Sequence, residues 1–128
     1  MMITPIYTAI LAFMLAGLFI NVVRVRRKYK VGLGNGGQAA VAKASRAHGN
    51  FVETVPLIIL MMAMLESMGI ASMVLHGMGA MLVFSRVLHI WGLAESTGTS
   101  TGRFAAGIIT VLLFIVGGLL LLAGTFGQ

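Results

Sequence analysis

The chain has 128 residues, of which 59% are hydrophobic and only 9% charged, and its formal net charge at pH 7 is +6. A soluble domain carries roughly 25% charged residues, and a small one has a large surface to cover for its volume. Nine Lys and Arg and three Asp and Glu residues are too few for that surface, so we expect lipid to cover it. The absence of cysteine excludes a disulfide framework, a thiolate metal site and a protein-borne thiol nucleophile.

Four apolar segments follow one another along the chain, and a membrane-spanning helix needs about 20 predominantly apolar residues. The predicted spans are residues 3–23, 39–65, 70–93 and 104–126. We interpret the first as a retained helix, because no basic leader precedes it and no cleavage site with a polar mature region follows it. The sequence therefore predicts an all-α membrane protein, a four-transmembrane-helix bundle that forms one domain over residues 1–128.

The basic residues are concentrated in one place. Seven of the nine Lys and Arg residues fall between Arg24 and Arg46, without the interleaved aromatic residues that stack on nucleic-acid bases. We therefore expect no nucleic-acid partner and no metal site. Short loops rich in Lys and Arg stay in the cytoplasm, so both termini are predicted to lie outside it, and contact with anionic membrane lipids is expected. We expect an integral, multi-pass protein of a bacterial inner membrane.

Polar residues interrupt the second and third spans, where ionisable groups are expensive and usually face the bundle interior or a water-filled cavity. They are Arg46, Asn50 and Glu53 on the second span, Arg86 and His89 on the third, and Arg103 at the start of the fourth. At about 100° per residue the three on the second span fall within roughly a 60° arc, and the two on the third share a face. All are predicted to lie at one depth near the cytoplasmic side.

Two interpretations of this layer remain open. Glu53 and Arg86 could form an interhelical ion pair that only holds the bundle together. Three arginines against one acid leave a surplus of positive charge, however, and an anionic ligand or lipid headgroup would lower the cost of burying it. We therefore consider a polyanionic ligand and, as a non-catalytic alternative, an anionic lipid or other amphipathic anion in the same pocket. A proton-coupled exporter of cations, built on a lone membrane glutamate, is disfavoured by the arginines.

The segment RAHGNFVETVP, residues 46–56, resembles the signature of the MAPEG family, the membrane-associated proteins of eicosanoid and glutathione metabolism. The matching pattern is Arg-Ala-His, then Asn, then Glu three residues further on, then Pro. The segment RVLH, residues 86–89, and the arginine that opens the fourth span are similar to the family as well. The resemblance covers nearly the whole chain and points to a bacterial-type member.

The resemblance implies a homotrimer of four-helix subunits that binds glutathione between neighbouring subunits. Its implied glutathione contacts are Arg46, Asn50, Glu53, Arg86 and His89, and its implied catalytic residue is Arg103, which would stabilise the glutathione thiolate. Lowering a thiol pKa from about 8.5 to about 6.5 takes about 2.7 kcal/mol, which one arginine in a partly dehydrated site supplies. The implied activity is a glutathione-dependent transferase or peroxidase that acts on a lipophilic electrophile or hydroperoxide.

Two positions depart from the family pattern. Leu93 lies where several members carry a tyrosine, and Phe104 replaces the polar residue that follows the arginine of the fourth span in some members. Both departures disfavour an isomerase chemistry that needs a hydroxyl group. They are compatible with thiol transfer.

Overall fold

The computed structural model describes residues 2–95, 98 and 100–126. These residues form four α-helices, α1 (Thr4–Tyr29), α2 (Ala39–Ser67), α3 (Ser72–Glu95) and α4 (Thr101–Phe126). Each helix is long and apolar enough to cross a membrane. The predicted fold, an all-α bundle of four transmembrane helices, is confirmed. Of the third connection the structure describes Gly98 and Ser100, and the remaining predicted loop residues between α3 and α4 lie outside the described part.

Contacts at both ends show that successive helices run in opposite directions. Lys43, near the start of α2, donates from Nζ to the carbonyl oxygen of Ala94 at the end of α3, at 3.2 Å. At the opposite end the Glu66 carboxylate of α2 accepts from the backbone N–H groups of Ile3 and Thr4, the second at 3.1 Å. The end at which α1 and α3 finish and α2 and α4 begin is called the basic end below.

Several of the basic residues that follow the first predicted span are helical rather than part of a loop. Helix α1 continues beyond the predicted first span to Tyr29 and ends at Lys30, whose backbone is left-handed with φ 56°. Cations in a last helical turn interact favourably with the helix dipole. The Arg26 guanidinium folds over the following loop and donates to the carbonyl oxygens of Gly32 and Gly34, both at 3.0 Å. Arg26 therefore fixes the loop to the end of α1.

Helices α2 and α3 form the centre of the bundle. Each contacts both α1 and α4, whereas α1 and α4 make no contact in the described chain. The largest side chains that are buried completely come from these two central helices: Ile58, Met62, Leu65, Leu75 and Leu82. Helix α4 packs closely because Gly117 is buried against Met61 and Met78. Towards the basic end the packing is less complete, and polar side chains from α2, α3 and α4 meet there.

Candidate functional site

Arg86 connects three helices through its guanidinium group and is only 2% exposed. Its Nη1 atom donates to Asn50 Oδ1 and, at 2.9 Å, to Thr54 Oγ1, both on α2. Its Nη2 atom donates to Thr110 Oγ1 on α4, and its Nε donates to Ser85 Oγ at 3.1 Å. Every acceptor is neutral. The guanidinium is thus well hydrogen-bonded, but no carboxylate among the described side chains neutralises its charge.

The possible ion pair between Glu53 and Arg86 is absent, and that interpretation of the sequence was wrong. Glu53 Oε2 lies 2.6 Å from Arg46 Nη2 on the same helix instead. The two residues are seven positions apart, close to two full turns, so their side chains point in the same direction. Their side chains are 57% and 49% exposed respectively. The pair is therefore exposed on the surface of α2 in the single chain.

A cavity of about 470 Å³ lies between α2, α3 and α4 towards the basic end. Its volume falls in the range of about 300–1,000 Å³ that is usual for small-molecule sites. Its polar wall consists of Asn50, Thr54, Arg86, His89, Ser100, Arg103 and Thr110. Its apolar wall comes from α4 and consists of Phe104, Gly107, Val111 and Phe114. No acidic residue occurs among these described lining residues, so the cavity is basic at one side and apolar at the other.

His89 lines this cavity and carries an unsatisfied polar atom. The residue is 9% exposed, and its Nε2 atom is buried with no hydrogen-bond partner among the described residues. The charges that act on it are the guanidinium groups of Arg86, Arg103 and Arg46. A buried polar atom without a partner is costly, so a ligand that reached this atom through a movement of the side chain would lower that cost.

Arg103 lies in the first turn of α4 and lines the cavity. Its Nη1 atom donates to the carbonyl oxygen of Gly98, and its backbone N–H lies 3.3 Å from Ser100 Oγ. The Ser100 carbonyl oxygen begins the helical ladder by accepting from Phe104 N–H at 3.0 Å. The N-terminus of a helix attracts anions through its free N–H groups and its dipole. The side-chain charge and the helix end therefore act on the same side of the cavity.

The structure divides the predicted site residues into two groups. Around the cavity lie Asn50, Arg86, His89 and Arg103, and outside its lining lie Arg46 and Glu53. The sequence interpretation missed the hydroxyl groups of Thr54 and Thr110, which accept from Arg86. Helical spacing contains the signal for both. Thr54 follows Asn50 by one turn, and Thr110 follows the buried Gly102 and Ala106 at intervals of four residues on the inward face of α4.

Four membrane-spanning helices and a basic cavity near one end of the bundle define a small integral, multi-pass membrane protein with a candidate anion site. A model of the MAPEG family matches residues 4–123, and the chain belongs to the MAPEG family. It is similar to the inner membrane protein YecN of Escherichia coli K12, with 34% identity over 91 residues. That match covers 71% of this chain and 70% of the relative. YecN of Escherichia coli O6:H1 matches with the same identity and coverage.

Proposed function

We propose that this protein binds glutathione and uses it as a co-substrate in a transferase or peroxidase reaction on a lipophilic molecule. The observation that carries the proposal is the cavity in which Asn50, His89 and Arg103 surround a space without an acidic residue among its described lining. Glutathione carries two carboxylates, and family membership supports glutathione as the anion. No metal takes part in the proposed reaction.

The residues present fit such a ligand. Arg103 is a charged N–H donor among the lining residues of the cavity, and charge-assisted hydrogen bonds are stronger than neutral ones. His89 lines the cavity, and its Nε2 atom has no hydrogen-bond partner among the described residues. Arg86 adds a buried positive charge behind them. A ligand with two carboxylates would compensate cations that the described side chains of the cavity wall do not neutralise.

In the proposed reaction Arg103 stabilises the thiolate of bound glutathione. The thiolate then attacks an electrophilic carbon, so that a C–S bond forms and the bond to the leaving group breaks with its electron pair. With a hydroperoxide it attacks an oxygen instead, the O–O bond breaks, an alcohol leaves, and a glutathione sulfenic acid remains. A second glutathione converts this acid into glutathione disulfide and water. The protein contributes positioning and charge stabilisation to both reactions.

The apolar wall of the cavity suits the second substrate. Phe104 is 72% exposed and Val111 54% exposed, so this wall continues onto the outer surface of α4. A lipophilic molecule dissolved in the bilayer would reach the cavity along that surface. The polar wall would then hold glutathione at the basic end, which the positive-inside rule assigns to the cytoplasm.

We further propose that the protein works as a homotrimer in which a neighbouring copy covers the ion pair of Arg46 and Glu53. Glu53 lies near the middle of the 29-residue helix α2, and charged side chains that face hydrocarbon are costly. A second copy of the chain would remove this pair from lipid. It would also place Arg46 and Glu53 at an interface where they could contact glutathione, as the family resemblance implies.

The test is glutathione binding to the purified full-length protein in lipid nanodiscs, followed by calorimetry and by the ultraviolet absorbance of the thiolate. The proposal expects saturable binding and a thiolate signal that rises with occupancy. Phosphatidylglycerol, added in the same assay, tests the non-catalytic alternative. Displacement of glutathione by this lipid would still support the shared site, whereas lipid binding without any glutathione binding would overturn the glutathione function.

A further inference from the structure

Arg86 holds the side-chain amide of Asn50 in one orientation. A guanidinium group has only N–H donors and no acceptor, so the Asn50 atom bonded to Arg86 is the amide oxygen. Besides the backbone bonds of α2, the hydrogen bonds of Asn50 in the described chain are this one and a bond from the Thr54 hydroxyl to its backbone oxygen at 2.7 Å. The two N–H groups of Asn50 Nδ2 therefore keep no internal acceptor among the described residues.

The free N–H groups belong to a residue of the cavity wall. The amide is planar, so fixing its oxygen on Arg86 also fixes the direction of its nitrogen. An asparagine that could rotate would offer either an acceptor or a donor to a ligand. With Arg86 in place, Asn50 offers a donor only.

Arg86 itself has little capacity left for a ligand. It is 2% exposed, and four of its five N–H groups bond Asn50, Thr54, Thr110 and Ser85. Both hydrogens of Nη1 are used on α2. Arg86 is therefore suited to act through Asn50.

We propose that Arg86 is a positioning residue that presents the Asn50 N–H groups to the cavity, so that the ligand group lying against Asn50 is a hydrogen-bond acceptor such as a carboxylate. That the ligand is glutathione rests on the proposed function. The orientation of the amide is a property of the protein without ligand. The two parts can therefore fail separately.

The first experiment reverses the hydrogen-bonding character of position 50. In Asn50→Asp one carboxylate oxygen takes the place of the amide oxygen on Arg86, and the other puts an acceptor where the N–H groups were. The fold should persist, because the buried guanidinium gains a counter-charge. Glutathione affinity, measured by calorimetry in nanodiscs, should fall by more than about tenfold, a loss of about 1.4 kcal/mol.

Thr54→Asp is the matched control. It gives the same guanidinium a carboxylate partner in the same cavity, one helical turn away, and leaves the Asn50 amide unchanged. Its loss of affinity should be at least about fivefold smaller than that of Asn50→Asp. Equal losses in the two variants, or wild-type affinity in Asn50→Asp, would overturn the proposal.

A second measurement decides the case in which Asn50→Asp does not fold or the wild type binds no glutathione. The chain has three asparagines, Asn21, Asn35 and Asn50. In ¹⁵N-asparagine-labelled wild-type protein, the Asn50 side-chain N–H₂ signals are identified by elimination with Asn21→Ser and Asn35→Ser. These signals should exchange with water. Their chemical shifts should change in Arg86→Lys, because a lysine ammonium group cannot make the same set of hydrogen bonds as the guanidinium.

Protection of the Asn50 N–H₂ signals from water, or the same signals in Arg86→Lys, would overturn the positioning role. Absence of glutathione binding to the wild type would overturn the proposed function alone. The amide signals would then still establish or exclude the orientation.

Discussion

Gly92 of α3 lies directly against Arg103 of α4. A Cβ atom on Gly92 would come within 2.7 Å of the Arg103 backbone nitrogen and 2.6 Å of Ser100 Oγ. Side chains do not approach backbone atoms so closely, so an alanine at this position must push the two helices apart. The close contact of α3 and α4 at the basic end is thus what sets Arg103 beside His89 at the cavity.

Gly92→Ala should therefore impair the site more than the fold. Overpacking of this kind costs about 1–3 kcal/mol, and the displaced arginine should reduce glutathione turnover by about tenfold or more. Turnover and thermal unfolding in nanodiscs measure the two effects. Gly17→Ala is the control, because a Cβ there meets nothing within 4 Å. Full turnover in Gly92→Ala would show that the helix contact does not position Arg103.

Replacing His89 by phenylalanine should change binding and stability in opposite directions. Phenylalanine keeps a planar ring and removes the buried Nε2 atom that has no partner in the described chain. The unliganded protein should be as stable as the wild type or more so, by up to about 1 kcal/mol, because no unpaired polar atom remains. Glutathione affinity should fall about five- to tenfold. Unchanged affinity would remove His89 from the binding site.

Arg103→Ala should separate binding from thiolate formation. If its charge stabilises the thiolate by about 2.7 kcal/mol, turnover falls about 100-fold. The variant should still bind glutathione through the other polar groups, but the ultraviolet thiolate signal should disappear. Arg24→Ala removes an equal charge from the exposed surface of α1 and should keep both. Equal turnover in wild type and Arg103→Ala would exclude Arg103 from the chemistry.

The ion pair of Arg46 and Glu53 tests the proposed trimer. Glu53→Gln leaves the Arg46 guanidinium without its carboxylate on the outside of α2, so subunit association should weaken. The charge swap Arg46→Glu with Glu53→Arg should restore association and not glutathione affinity, because the ligand contacts are reversed. Native mass spectrometry measures the trimer fraction. Glu66→Gln, at the opposite end of the bundle, is the control. A fully trimeric Glu53→Gln protein would contradict the covering role.

The sequence was sufficient to predict the four helices. Long apolar segments specify transmembrane helices by composition alone, and the 3.6-residue period grouped Arg86 with His89 on one face of α3. The partner of Glu53 was not predictable in this way. Periodicity gives the relative directions of side chains on one helix, whereas the rotation of that helix against its neighbours depends on packing. Here the helix packing places Asn50 against Arg86, whereas Glu53 forms an ion pair with Arg46 of its own helix.

The hydroxyl groups that accept hydrogen bonds from Arg86 were likewise not predicted from the sequence. A charged residue at membrane depth suggested a charged partner, and an ion pair of Glu53 with Arg86 was one of the two interpretations that the sequence left open. The structure satisfies Arg86 with Thr54, Thr110 and Ser85 instead. Such neutral acceptors leave the positive charge available to the cavity, because hydrogen bonds to them do not cancel it. That surplus is the physical basis of the proposed anion site.

The most direct measurement is an experimental structure of the protein in lipid nanodiscs with glutathione sulfonate, a glutathione whose thiol is replaced by an unreactive anion. The cavity between α2, α3 and α4 should contain the ligand, with a carboxylate against Asn50, a polar group at His89 Nε2 and the sulfonate at Arg103. A phospholipid headgroup in that cavity, or the ligand bound elsewhere while the cavity is closed, would contradict glutathione binding at this site.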